Sequence, residues 1–445
     1  MAPRRPDKKS KKRGKEAISR AAAAAAAAGG PSSSSSDKPA LSPLVLVRAA
    51  EDRLQEGDAP GAAALAGSAL EQAQAAVGND DKEDGALAAL NLLGQVNLEL
   101  GDLEVARACF LRAVDADPDG TRDEAVGGGA EKFLCLAQLS EEGGHDSVRW
   151  FERGAAVLRA RIQALEEEEA AKGTSTATHS RRGAAAGGGK DEDAEEVVGQ
   201  QQLSELEELK RKLAMTLCSV AEVYMTDLSW ESDAEARCEA LVTEATLVAP
   251  DYAETWQTLA DVRISQQRPD DARAALARSL DLWRGLPPED PLVPAFPSRV
   301  ALARLLMEVG LERDAIEVLE RLVAEDDLSV ETWYLGGWGL FVLGEKQREA
   351  EREKEKNGAK KVEGTTKEEE GEEEDWKTSW ISSRVWLNQC LHLYKLQDYE
   401  DEPLGEHARE LLAEMAKELG EAPVGEDDDE DGWEDTGDSD EEMQE

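Results

Sequence analysis

Four histidines (His145, His179, His392 and His407) and five cysteines (Cys109, Cys135, Cys218, Cys238 and Cys390) are the side chains best suited to catalysis or metal binding. Their spacing supports neither role. No Cys-x-x-Cys pair and no His-Glu-x-x-His occurs, so the short-range ligand sets of zinc sites are missing. His145 follows a Gly-Gly pair and His392 lies in a helical run rich in apolar residues, both structural settings. Cys109, Cys135 and Cys218 lie inside apolar helical runs, where a reduced, buried thiol in a reducing compartment is the expectation. Residues 183–191 approach a phosphate loop, but Ala184 and Asp191 stand where the pattern needs glycine and a hydroxyl. Carboxylates abound, yet a catalytic pair needs a pocket that separates two pKa values, and no motif identifies one. The chain therefore reads as non-enzymatic, with no cofactor and no metal.

Charge says more. Lys and Arg number 51 against 96 Asp and Glu, a net charge of −45. Such a surface opposes direct nucleic-acid binding, which relies on cations to neutralise phosphates, and is repelled by anionic membranes. It attracts basic partners instead. No apolar run is long enough to span a bilayer, and the alanine run at 21–28 is too weakly apolar for a secretory leader. One basic island stands apart: Arg4, Arg5, Lys8, Lys9, Lys11, Lys12 and Arg13. Such a cluster reads as a nuclear import signal, with an import receptor as partner and residence in nucleus and cytoplasm. At the other end, the 14 acidic residues from Glu421 onward meet no basic one, so disorder is expected there. Trp433 has no core to join in that tail, and a partner contact is its expected use.

The elements that carry these residues follow from Leu90 to Pro118, where Leu90, Gly94 and Asn97 precede Gly101-Asp102, and Ala106, Phe110 and Pro118 follow it. This is the spacing of the tetratricopeptide repeat: two antiparallel helices with small residues where they approach and proline as the stop. One such unit cannot bury its apolar face alone, so neighbours are required. Weaker copies recur through the chain, notably at Trp256-x-x-Leu259-Ala260 and from Trp333 through Gly336 and Leu340. The expected fold is all-α, a right-handed superhelical solenoid of about seven helix pairs. Residues 1–40 form a disordered basic tail, 41–169 repeats one to three, 170–196 a disordered insertion and 197–344 repeats four to seven. A charged insertion at 345–377, a last repeat helix and cap at 378–420, and a disordered acidic tail at 421–445 complete the organisation.

A curved helical array offers a concave groove lined by the first helix of each pair. Counting from the Trp/Leu position of each repeat selects Asn91, Gln95 and Glu99; Glu141 and Glu142; Glu222; Glu254 and Asp261; Glu308; and Glu331, Tyr334 and Trp338. Most are acidic, which suits a basic, extended peptide. Charge steers such an association, and buried anchors supply most of its affinity.

Several features together carry a family resemblance: the basic N-terminus, the repeats LNLLGQVNLELGDLEVARACFLRAV and TWQTLADVRISQ, the charged insertion, the helix WISSRVWLNQCL, and the tail with GWEDTGDSDEE. In these the chain resembles the fungal dedicated assembly chaperones of large-subunit ribosomal protein L-four. The resemblance spans most of residues 41–445. It implies a nuclear chaperone that holds the basic internal loop of that ribosomal protein, prevents its aggregation and accompanies it to pre-ribosome assembly. A scaffold or histone-chaperone-like subunit of a nuclear complex is the alternative reading.

Overall fold

The computed structural model describes residues 42–75, 80–179, 192–358 and 375–420. The import cluster, the acidic tail with Trp433 and the phosphate-loop-like stretch up to Asp191 lie outside the described residues. Among those described, the regular structure is helical, and no strand occurs. The chain divides at Leu286/Pro287 into two compact units.

The first unit holds α1 (Pro43–Gln55), α2 (Ala59–Ala75), α3 (Asp80–Glu99), α4 (Leu103–Ala116), α5 (Glu131–Gln138), α6 (Gly144–His179), α7 (Glu192–Met225), α8 (Ala234–Val248), α9 (Ala253–Ser265) and α10 (Pro269–Asp281). The second holds α11 (Phe296–Glu308), α12 (Glu312–Glu325), α13 (Val330–Gly358), α14 (Trp376–Leu396) and α15 (Glu402–Leu419). Within each unit every helix packs on the next. First helices of successive pairs also touch, α1 on α3 and α7 on α9 in one unit, α11 on α13 in the other. This is the packing of stacked helix pairs: among the described residues, five pairs in the first unit and two in the second, where α15 closes the last.

The pairing is written in small residues and one recurring turn. A Cβ at Gly94 would lie 2.5 Å from Phe110 Cζ, so α3 and α4 meet only because position 94 has no side chain. Phe110 and Ala106 are fully buried there. At Gly101 the backbone takes φ 77°, with Gly101 N–H bonded to Leu98 O and Asp102 N–H to Asn97 O. That paired closure is the Schellman turn, in which a left-handed residue satisfies the last helical carbonyls. The same two-bond turn follows α1 at Gly57 and α11 at Gly310, and it recurs after α9 with Gln267 in the left-handed position. Trp256 and Trp333, at matching places in α9 and α13, each donate an indole N–H to a carbonyl six residues back, Pro250 O at 2.9 Å and Asp327 O at 2.7 Å. Replacing Gly94 with valine is expected to cost about 3 kcal/mol through forced separation of α3 and α4. A urea-unfolding midpoint of the first unit, followed by hydrogen exchange of α3 and α4, measures it.

Two stretches differ from the reading of the sequence. α6 continues to His179 and α7 begins at Glu192, so much of 170–196 is helical; likewise α13 continues to Gly358 through the first half of 345–377. Alanine, glutamate, lysine and glutamine favour helix without any apolar stripe, so the lack of periodicity concealed the start of α7 and the end of α13. The cysteines meet expectation. All five are buried and free, and burial pushes the Cys109, Cys135, Cys218 and Cys390 thiols up to about 12, which holds them protonated at neutral pH.

Candidate binding site

The positions selected from the sequence divide into three kinds. On α3, Gln95 and Glu99 are exposed, but Asn91 is engaged by the chain itself. Its Nδ2 donates to Gly127 O at 2.5 Å, and its buried Oδ1 has no hydrogen-bond partner. Gly127 sits so close to α3 that a Cβ there would meet Asn91 Nδ2 at 2.7 Å and Ala88 Cα at 3.0 Å. The short 3-10 turn Glu124–Val126, part of the α4–α5 connection, thus lies on this part of α3. Glu141 and Glu142 are exposed in the turn after α5 rather than on its face, because α5 ends at Gln138.

The second group, in the first unit, is compact. α7 brings Glu222, and the adjacent α9 brings Glu254 and Asp261. Crowding by surrounding protein atoms raises the Glu222 pKa, and the Asp261 carboxylate raises it further. Burial raises Glu254 as well, against the opposing pull of its own backbone N–H, the Tyr252 hydroxyl and Arg211. Glu222 nevertheless keeps open access to water. Many protein atoms nearby together with solvent access is what a concave surface gives. Ionised carboxylates held there lack full hydration and gain from an incoming cation.

The third group lies wholly in the second unit. Glu308 from α11 and Glu331, Tyr334 and Trp338 from α13 line one cleft of about 910 Å³. Tyr399 and Asp401, from the turn between α14 and α15, and His407 of α15 form its remaining wall. The Tyr334 hydroxyl and His407 Nδ1 are 2.8 Å apart. The Trp338 ring stacks beside Tyr334 at 6.1 Å and meets His407 edge-on at 5.8 Å. Burial, with Cys390 and Asp401 adding to it, raises the Tyr334 pKa. Arg304 pairs with Glu331, and the buried Glu312 carboxylate accepts from Lys346 Nζ at 2.6 Å. Asp401 caps α15 by accepting from Leu404 N–H at 3.1 Å. Counting along first helices misses Tyr399, Asp401 and His407, which arrive from the closing helix and the turn before it. The available signal was Tyr399 itself, an aromatic residue set among Asp398, Glu400 and Asp401.

Two further histidines stand apart from this cleft. His145 Nε2 lies 3.3 Å from Glu231, and His392 is exposed on α14. Among the described residues, no group of three or more His, Cys, Asp and Glu is arranged to hold a metal ion.

Comparison with known proteins agrees with this architecture. Residues 87–119 match the tetratricopeptide repeat model, the same stretch whose Gly94 and Phe110 interlock. The chain is 44% identical over 383 residues to the probable assembly chaperone of rpl4 of Emericella nidulans, covering 85% of this chain and 82% of that protein. It is 31% identical to the corresponding Schizosaccharomyces pombe protein, over 85% of this chain and 93% of that one. A solved structure of an assembly chaperone of RpL4 (Acl4), residues 1–338, superposes with a TM-score of 0.58 and 54% identity, over 70% of this chain and all of that one. With relatives this similar over nearly their full length, and with the helix-pair array they share, the chain belongs to the family of rpl4 assembly chaperones.

Proposed function

We propose that this protein is a dedicated, non-catalytic chaperone of ribosomal protein L4. It holds a basic, extended segment of the newly made protein on acidic inner helix faces, keeps it soluble and escorts it to pre-ribosome assembly in the nucleus. The observation that carries the reading is the Glu222–Glu254–Asp261 group on α7 and α9, where crowding raises the two glutamate pKa values. Such carboxylates are stabilised by a lysine or arginine, and their like-charge repulsion keeps acidic partners away. The names of the relatives supply the identity of the client. The Arg4–Arg13 cluster is proposed as the import signal that takes the pair to the nucleus, and rRNA phosphates would release the client by competing for the same cations.

The test is the pH and salt dependence of binding between the full chain and a synthetic peptide of the basic client loop. Binding favours the charged carboxylates, so it lowers their pKa values and releases protons wherever the free groups are partly protonated. Affinity is therefore flat near neutral pH and falls as the pH drops through the raised glutamate values, which lie above the ordinary 4.5. Raising salt well above the physiological range is expected to weaken binding roughly tenfold or more by screening. Calorimetric titration reads both. Affinity indifferent to salt would overturn the acidic-surface reading.

A further inference from the structure

The cleft of the second unit differs in kind from the acidic group of the first. Its floor is aromatic: Trp338 is 36% exposed, and the rings of Tyr334 and His407 lie 6.1 and 5.8 Å from its own. Its rim is acidic. Arg304 is taken by Glu331 and Lys346 by Glu312, whereas Glu308 and Asp401 form no ion pair with a described cation. An aromatic face flanked by two uncompensated carboxylates fits a cation that also has a flat face.

We infer that this cleft holds an arginine side chain of a basic extended peptide, its guanidinium stacked on Trp338 and hydrogen-bonded to Glu308 and Asp401. The inference rests on the proposed basic-client reading and adds a side-chain-specific anchor to it. Arginine is favoured over lysine because a planar guanidinium stacks on an indole and offers a fork of donors to two carboxylates, which a compact ammonium cannot do. It is favoured over a methylated ammonium because the rings touch one another. Tyr334 and Trp338 lie at an interplanar angle of 30°, with His407 edge-on, and together form a continuous patch. An enclosed ammonium needs rings that stand apart around a void; a flat cation needs only an open ring face. α15 is on this view more than a polar closure of the array, because it brings His407 to the back of Trp338 and is capped by Asp401.

The experiment titrates the full chain with two dye-labelled glycine–serine peptides, one bearing spaced arginines and the other lysines in the same places, read by fluorescence anisotropy. The unmodified chain is expected to bind the arginine peptide severalfold more tightly. Trp338→Ala is expected to weaken arginine-peptide binding about tenfold and lysine-peptide binding much less, while Trp338→Phe, which keeps a ring, stays within about threefold of the parent. Glu308→Gln, a change at an exposed position, is expected to weaken the arginine peptide severalfold without touching the helix packing, and it carries the test if Trp338→Ala fails to fold. Unchanged arginine-peptide binding in Trp338→Ala or, where that variant does not fold, in Glu308→Gln overturns the inference. So does an equal loss for both peptides. If these variants bind normally while charge reversal on α9 abolishes binding, this cleft is excluded and the acidic surface of the first unit stands. Failure of the unmodified chain to bind either peptide overturns both readings.

Discussion

Reversing Glu254 and Asp261 to lysine is expected to reduce affinity for the basic client segment at least about a hundredfold. Each substitution replaces an attraction with a repulsion at a site where water screens poorly, and like-charge juxtaposition at an interface costs several kcal/mol. Two such changes exceed the roughly 2.8 kcal/mol that a hundredfold represents. The milder pair, Glu254→Gln with Asp261→Asn, removes charge while keeping shape and is expected to lose about tenfold. The two pairs separate charge from packing, because Glu254 and Asp261 are both half-buried on α9. Glu254 also lies in the first turn of α9, where a carboxylate favours the helix dipole and a lysine opposes it by about 0.5 kcal/mol. Against that, the folded protein carries a cost for keeping Glu254 and Glu222 ionised. Their raised pKa values mean that this cost is present at neutral pH and is relieved as the pH falls through those values. Neutralising Glu254 therefore trades binding for a small gain in stability, the signature of a functional carboxylate. Calorimetry with the client peptide measures the first effect and urea unfolding the second. Undiminished binding by the lysine variant would remove α9 from the binding surface.

The helix-pair core was legible because its constraints are local. The spacing of Gly94, Ala106, Phe110 and Pro118 specifies two helices and their contact point, and the structure places a forbidden Cβ at that contact. Position counting also picks Glu331, Tyr334 and Trp338 on α13, which line one cleft. It failed where the chain between elements matters. Asn91 was selected as an open groove residue, but the α4–α5 connection folds back and takes its side chain through Gly127. No period in the sequence announces such a return. His407 reaches Tyr334 across 73 residues, a pairing that depends on how α15 packs against α13 rather than on any spacing within either helix. The stretches 170–196 and 345–377 read as insertions because they lack an apolar stripe, yet the charged run after Gly344 continues α13 on helix propensity alone.

Replacing Lys132 with methionine is expected to cost the first unit about 3–5 kcal/mol, the largest single effect on stability among the changes considered. Lys132 is fully buried, and its Nζ donates to Asp117 Oδ2 at 2.8 Å and to Gly129 O at 3.0 Å. Burial drives its pKa down, while the hydrogen bond and charge of Asp117 hold the ammonium form. Asp117 is almost as deeply buried, and its other oxygen accepts from Thr121 N–H at 3.1 Å. The pair therefore ties the end of α4 to the start of α5 and fixes the connection that lies on α3. Removing only the lysine strands a carboxylate away from water, the costly half of a buried ion pair. Replacing both partners should be far cheaper, provided the second change respects Thr121. Lys132→Met with Asp117→Asn removes both charges and keeps an oxygen for that N–H, so the double variant is expected to recover to within about 1–2 kcal/mol of the parent. Because the chain has two units, a single global midpoint would blend them. Hydrogen exchange of α4 and α5 reports the local effect. A single variant costing under about 1 kcal/mol, or a double variant no better than the single, would show that Asp117 finds water or another partner once the lysine is gone.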